Sequence, residues 1–103
     1  MAQLRYVLEE QIERNEKNIA IYMSRLEKLP KGTIHQRKRS DKVYYYLKFR
    51  DDTGKRVDRY LKEAQVNEVR RQLGKRKEYL LMIKGLKEDI KIARKGLNNS
   101  VWR

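Results

Sequence analysis

The chain is 103 residues long, contains no cysteine, and carries 27 Lys and Arg against 14 Asp and Glu, for a net charge of +13. These figures exclude disulfides and thiolate metal centres, leave room for one domain, and make a cytoplasmic setting the expectation. No apolar run approaches the roughly 20 residues of a membrane span, and the opening MAQLRYVLEEQIE lacks the apolar centre of a signal peptide, so no membrane partner is expected.

The positive charge is unevenly spread. Residues 1–30 hold five basic and five acidic side chains, residues 31–62 eleven and four, and residues 63–103 eleven and five. A neutral brace therefore precedes a cationic working half. Counterion release makes RNA or DNA a favourable partner for such a surface without any requirement of shape.

In chain order, Leu4, Leu8, Ile12, Ile19, Tyr22 and Leu26 recur at steps of three, four and seven, which predicts a helix over about residues 3–28 with one apolar stripe. Asn15 falls inside that stripe, either fixing register or facing a wet gap. Pro30, followed by Gly32, ends the helix, because the residue before a proline is pushed out of the α region.

The period then changes to two. Thr33–Arg39, Lys42–Arg50 and Lys55–Lys62 read as three antiparallel strands, joined by turns at Ser40–Asp41 and at Asp51–Gly54, over residues 32–62. Gly54 stands where a bulged hairpin needs positive φ. Alternation assigns Ile34, Val43, Tyr45, Leu47, Phe49, Val57 and Leu61 to the core side. His35, Arg37, Arg39, Tyr44, Tyr46, Lys48, Arg50, Arg56, Tyr60 and Lys62 fall on the outer side.

From residue 63 helical spacing returns, with Val66, Val69, Leu73, Leu80, Ile83, Ile90 and Leu97 near one face, and predicts a helix to about residue 97. The tail over residues 98–103 frays unless Trp102 docks. Gly74, Gly85 and Gly96, eleven residues apart, fall roughly opposite the stripe, as a flat track for a partner or as three tolerated glycines. Lys77, Lys84, Lys87, Lys91 and Lys95 follow one flank.

The expected architecture is α+β and a single domain over residues 1–103: long N- and C-terminal helices packed as a helical hairpin, with a three-stranded antiparallel sheet between them in sequence. A homodimer satisfies the same two apolar stripes.

Catalytic chemistry lacks its parts. His35 is the one histidine, Asp51 and Asp52 read as turn residues, and Gly54-Lys55 has neither the spacing nor the hydroxyl of a phosphate-cradling loop. His35 with Arg37 and Tyr44 could imitate a small ribonuclease surface, but a histidine and cations exposed on a strand are the plainer account. No enzyme, metal or cofactor is therefore expected.

The outer strand face is the stronger case, because Lys and Arg hold phosphates while tyrosines stack on bases. Arg37, Arg39, Lys48, Arg50 and Arg56 are the expected phosphate contacts and Tyr44 and Tyr46 the base or sugar contacts, with Lys84, Lys87 and Lys91 extending the footprint.

The run GTIHQRKRSDKVYYYLKFRDDTGKRVDRYLKE, followed by a long charged helix, resembles a group of short uncharacterised basic proteins of bacteria and their phages, over about residues 29–97. Thr33 to Leu61 is also similar to the arm-site DNA-binding domain of tyrosine recombinases, which implies groove reading by a sheet through Tyr44, Tyr46, Lys48 and Arg50. The chain departs from that domain by continuing into a long helix and having no catalytic domain. Together these features lead to a small non-catalytic RNA- or DNA-binding protein of phage or mobile-element type. Two alternatives stand beside it. One is an anti-CRISPR-like inhibitor that meets a ribonucleoprotein nuclease at its guide RNA or nucleic-acid channel; the other is a protein-interaction module built on the helical hairpin.

Overall fold

A computed structural model describes residues 2–99 as helix α1 (Ala2–Glu27), strands β1 (Thr33–Arg39), β2 (Lys42–Arg50) and β3 (Arg56–Leu61), and helix α2 (Glu63–Asn99). The fold is α+β, with a three-stranded antiparallel sheet in the order β1-β2-β3 between the two helices in sequence. Helix α2 runs to Asn99, two residues past the end expected from the sequence. Residues 100–103, and with them the docking of Trp102, lie outside the described residues.

Two compact units divide the chain. One joins α1 to α2 from Glu78 onward, and the other spans Leu29–Lys77. The first is the helical hairpin. Leu8, Ile12, Asn15, Ile19, Tyr22 and Leu26 form the shielded side of α1, and Tyr79, Ile83, Leu86, Ile90, Ala93 and Leu97 that of α2.

The helices run antiparallel. The rings of Tyr22 and Tyr79 lie 5.5 Å apart at one end, and near the other a Cβ on Gly96 would meet Leu8 Cδ1 at 3.3 Å. Arg94 Nη2 donates to Glu16 Oε1 at 3.0 Å, an exposed pair contributing about 0–1 kcal/mol, so the apolar seam carries the association. Asn15, only 8% exposed, sits within that seam as its one buried polar side chain among the described residues.

Two expectations for α2 are corrected here. Leu80 is 46% exposed, because the shielded stripe steps by three twice, through positions 73, 76 and 79, and so arrives at Tyr79 one residue early. Gly96 is not opposite the apolar stripe; it lies against Leu8, whereas Gly74 and Gly85 face open space.

In the second unit the register pairs Ile34 with Leu47 across β1 and β2, and Tyr45 with Leu61 and Phe49 with Val57 across β2 and β3. Directly paired residues share a face, so these side chains form one apolar surface. Leu47 and Leu61, each 1% exposed, pack with Val66 and Val69 of α2, and Ile34, Tyr45, Phe49 and Leu73 close around them. Each leucine contributes on the order of 1.5–3 kcal/mol by its burial. Val43 departs from its expected place. It is 45% exposed, because it pairs with Lys38 near the end of the strands, outside that cluster.

The turns have local causes. Ser40 takes φ +54° in the two-residue loop between β1 and β2, and Gly54 takes φ +84° in the loop before β3. Asp51 organises the second loop. Its Oδ1 accepts from the Thr53 amide at 2.9 Å, the Thr53 hydroxyl at 2.6 Å and the Lys55 amide at 2.9 Å. The Thr53 hydroxyl, then the Lys55 amide, hold the Asp51 carboxyl below its usual range.

At the start of α2, Gln65 Oε1 accepts from the Lys62 amide at 3.1 Å, the half of a capping box in which the third helical residue reaches back to the cap amide, while the Gln65 amide donates to the Lys62 backbone carbonyl at 2.8 Å. Lys62, assigned from sequence to the outer strand face, is thus the helix cap residue and not part of β3.

Gly32 has φ +124°, and a Cβ there would collide with the carbonyl oxygen of Lys48 and the Cβ of Phe49. Gly32→Ala is therefore expected to destabilise the protein by about 2 kcal/mol or more. Gly85→Ala, in open space within a helix, is expected to stabilise it by roughly 1 kcal/mol. Urea unfolding followed by circular dichroism measures both, and equal effects of the two would contradict the packing described.

Candidate nucleic-acid interface

Once Leu47 and Leu61 point into the core, the pleat sends their neighbours the other way. The outer face of the sheet comprises Thr33, His35, Arg37 and Arg39 of β1, Lys42, Tyr44, Tyr46, Lys48 and Arg50 of β2, and Arg56, Asp58 and Tyr60 of β3. All seven sheet residues expected to bind nucleic acid lie on this one face. Arg37, Arg39, Arg50 and Arg56 are exposed, and Tyr44, Tyr46 and Lys48 are half-buried.

The register arranges them in zones along β2. In the middle, the Tyr46 and Tyr60 rings meet edge to face at 5.9 Å, and Tyr44 and Tyr60 meet tilted at 6.4 Å. The Arg37 guanidinium sits 5.4 Å from the centroid of Tyr46, a cation–π contact that braces the ring. At one end Arg39 pairs directly with Lys42, and at the other Arg50 pairs directly with Arg56. Like charges opposite one another destabilise a sheet. Both ends of the ring cluster therefore hold concentrated positive charge at a cost to the fold.

Arg50 is also tied to the loop beside it, its Nη1 donating to the Gly54 carbonyl at 3.1 Å. Lys48, Phe49, Arg50, Arg56 and Asp58 line a concave site of about 530 Å³. Asp58 is the acid within this face. It pairs in register with Lys48, and no ion pair forms between them among the described residues.

Sequence reasoning left Lys42 and Tyr60 out of the site and did not place Asp58 on the outer face. Tyr60 carries a legible signal, the period of two in β3. Its contact with Tyr44 and Tyr46 requires the pairing register, which alternation within a single strand does not determine.

Lys84, Lys87 and Lys91 belong to the other unit. They are exposed on one flank of α2 together with Lys95, and none of the four enters an ion pair among the described residues. Neighbouring Arg94, by contrast, is engaged by Glu16. Among the described residues no three His, Cys, Asp or Glu side chains gather into a potential metal site, and no helix is long and apolar enough to cross a membrane.

The chain belongs to the family described as a domain of unknown function (DUF6788), whose profile matches residues 2–71. The match takes in α1, the whole sheet and the first turns of α2. No curated protein and no solved structure matches the chain.

Replacing one member of the Arg50–Arg56 pair by an acid turns repulsion into attraction across the strands. Arg56→Glu is accordingly expected to stabilise the free protein by about 0.5–1 kcal/mol in low salt, with the gain shrinking as salt is added. Thermal unfolding across a salt series measures this, and a loss of stability at low salt would show that the two cations are not in conflict.

Proposed function

We propose that the protein is a small non-catalytic nucleic-acid-binding protein that engages RNA or DNA through the outer face of its sheet. The observation that carries this reading is the run of cation pair, tyrosine cluster and cation pair along one exposed surface, Arg39–Lys42, Tyr44–Tyr46–Tyr60 and Arg50–Arg56. Phosphates relieve the repulsion within each cation pair, and rings between them give bases or sugars an apolar contact. The net charge of +13 adds long-range attraction of the same sign, and a cytoplasmic location fits a protein with such partners. Lys84, Lys87 and Lys91 are a second cationic set for the same class of ligand.

A protein-interaction role for the helical hairpin is the second reading. Leu81 and Ile92 are 62% and 60% exposed, and their eleven-residue spacing returns them to one side of α2, the side on which Gly85 leaves open space. Apolar groups on a helix beside a glycine suit close approach by another helix.

The two readings separate in one experiment, with affinity for labelled oligonucleotides measured at several salt concentrations. Tyr44→Ala, Tyr46→Ala and Arg50→Ala combined are expected to weaken binding at least about tenfold while leaving helical content intact by circular dichroism. Wild-type affinity is expected to fall on the order of a hundredfold between 50 and 200 mM salt if about five cations meet phosphates. Unchanged affinity in the triple variant would reject the sheet face as the site. Salt-insensitive capture of a protein, lost on substitution of Leu81 and Ile92 by Lys, would favour the hairpin reading.

A further inference from the structure

Among the three clustered rings, Tyr60 differs in its exposure. Tyr44 and Tyr46 are half-buried, and Tyr46 has the Arg37 guanidinium over its ring, while Tyr60 is 52% exposed. Its neighbours meet it at interplanar angles of 51° and 68°, which buttresses the ring from the side without stacking on it. A half-exposed aromatic ring flanked by two others thus stands in the middle of a cationic face.

From these contacts we infer that the ligand of this face is single-stranded nucleic acid, with an unpaired base stacking on Tyr60 and the backbone passing to the cation pairs at either end of β2. The inference rests on the reading of the outer sheet face as a nucleic-acid surface and specifies the form of ligand that face takes.

The chemistry favours the single strand for two reasons. In a duplex the base faces are already stacked on one another, so tyrosine rings find only groove edges and phosphates, and the ring cluster contributes little beyond what cations supply. In a single strand every base has a free face, and stacking on an aromatic side chain is sequence-tolerant. The spacing agrees. Eight steps at about 3.4 Å separate Lys42 from Arg50 by roughly 27 Å, a span suited to a few extended nucleotides with phosphates held at both ends and bases over the rings between.

This specificity can be distinguished from charge alone. A surface that binds only through phosphates favours the duplex, whose charge density and counterion release are greater than those of a single strand. Preference for the single strand therefore reports the rings.

The test uses the full chain and four fluorescently labelled 12-mers of mixed sequence: single-stranded RNA, single-stranded DNA, and the duplex of each. Wild type, Tyr60→Leu and Tyr60→Phe are compared by anisotropy, with circular dichroism verifying that each variant is folded. At least one single strand is expected to bind about tenfold more tightly than its duplex, and the better of RNA and DNA identifies which strand chemistry the face prefers. Tyr60→Leu is expected to lose roughly tenfold in single-strand affinity with duplex affinity unchanged, and Tyr60→Phe, which keeps the ring, is expected to retain both. Duplex binding as tight as single-strand binding, with Tyr60→Leu neutral, would overturn the single-strand inference and leave the cationic sheet face standing. Salt-sensitive binding to none of the four would overturn both.

Discussion

Leu47 and Leu61 anchor the sheet against α2, and their burial determines which way every other side chain of β2 and β3 points. The pleat has a period of two, so a slip of one residue would exchange the two faces, moving Tyr44, Tyr46 and Tyr60 inward and the leucines into water. The contacts of Val66 and Val69 with the buried leucines oppose such a slip. Gly32 adds a second constraint where the chain enters β1, since its positive φ and close approach to Lys48 and Phe49 admit no side chain. The composition of the outer face is thus a consequence of packing on the inner one.

That outer face does not look optimised for stability alone. Cross-strand partners Arg39 and Lys42, and Arg50 and Arg56, bring like charges together at both ends of a ring cluster. Asp51, three ways hydrogen-bonded in the loop that follows Arg50, stiffens the turn that keeps the second pair together. Repulsive pairs held in place by a firm turn make sense where a polyanion supplies the missing negative charge. The hairpin unit follows a different logic. Its association depends on an apolar seam with Asn15 inside it, and its lysines lie away from that seam on exposed helix surface.

Much of the fold was legible from spacing. The break at Pro30 and Gly32, the three strands, the positive φ of Gly54 and the return of helical period at residue 63 each follow from a local property of the residues involved. The errors arose where a side chain's environment depends on a distant partner. Val43 has the alternation of a core residue, yet it pairs with Lys38 beyond the reach of the cluster around Leu47. Leu80 continues a seven-residue step from Leu73, but the shielded stripe of α2 shifts phase at Tyr79, the residue that meets Tyr22. For the site, the tyrosines and cations of β2 were readable from a single strand, whereas Tyr60 and the two repulsive pairs required the register between strands. Ser40 also gives no warning of its left-handed conformation, because serine lacks the glycine signal usually associated with it.

The central claim is that nucleic acid meets the ring-bearing face of the sheet while the opposite face stays closed on α2. Chemical-shift mapping of a short oligonucleotide titrated into the full chain tests it most directly, with the Tyr44, Tyr46 and Tyr60 ring signals and the Leu47 and Leu61 methyl signals followed together. The account predicts large, saturable shifts of the three rings with the methyls nearly unmoved. Shifts confined to α2 around Lys84–Lys91, or to the leucine methyls with the rings unaffected, would contradict it.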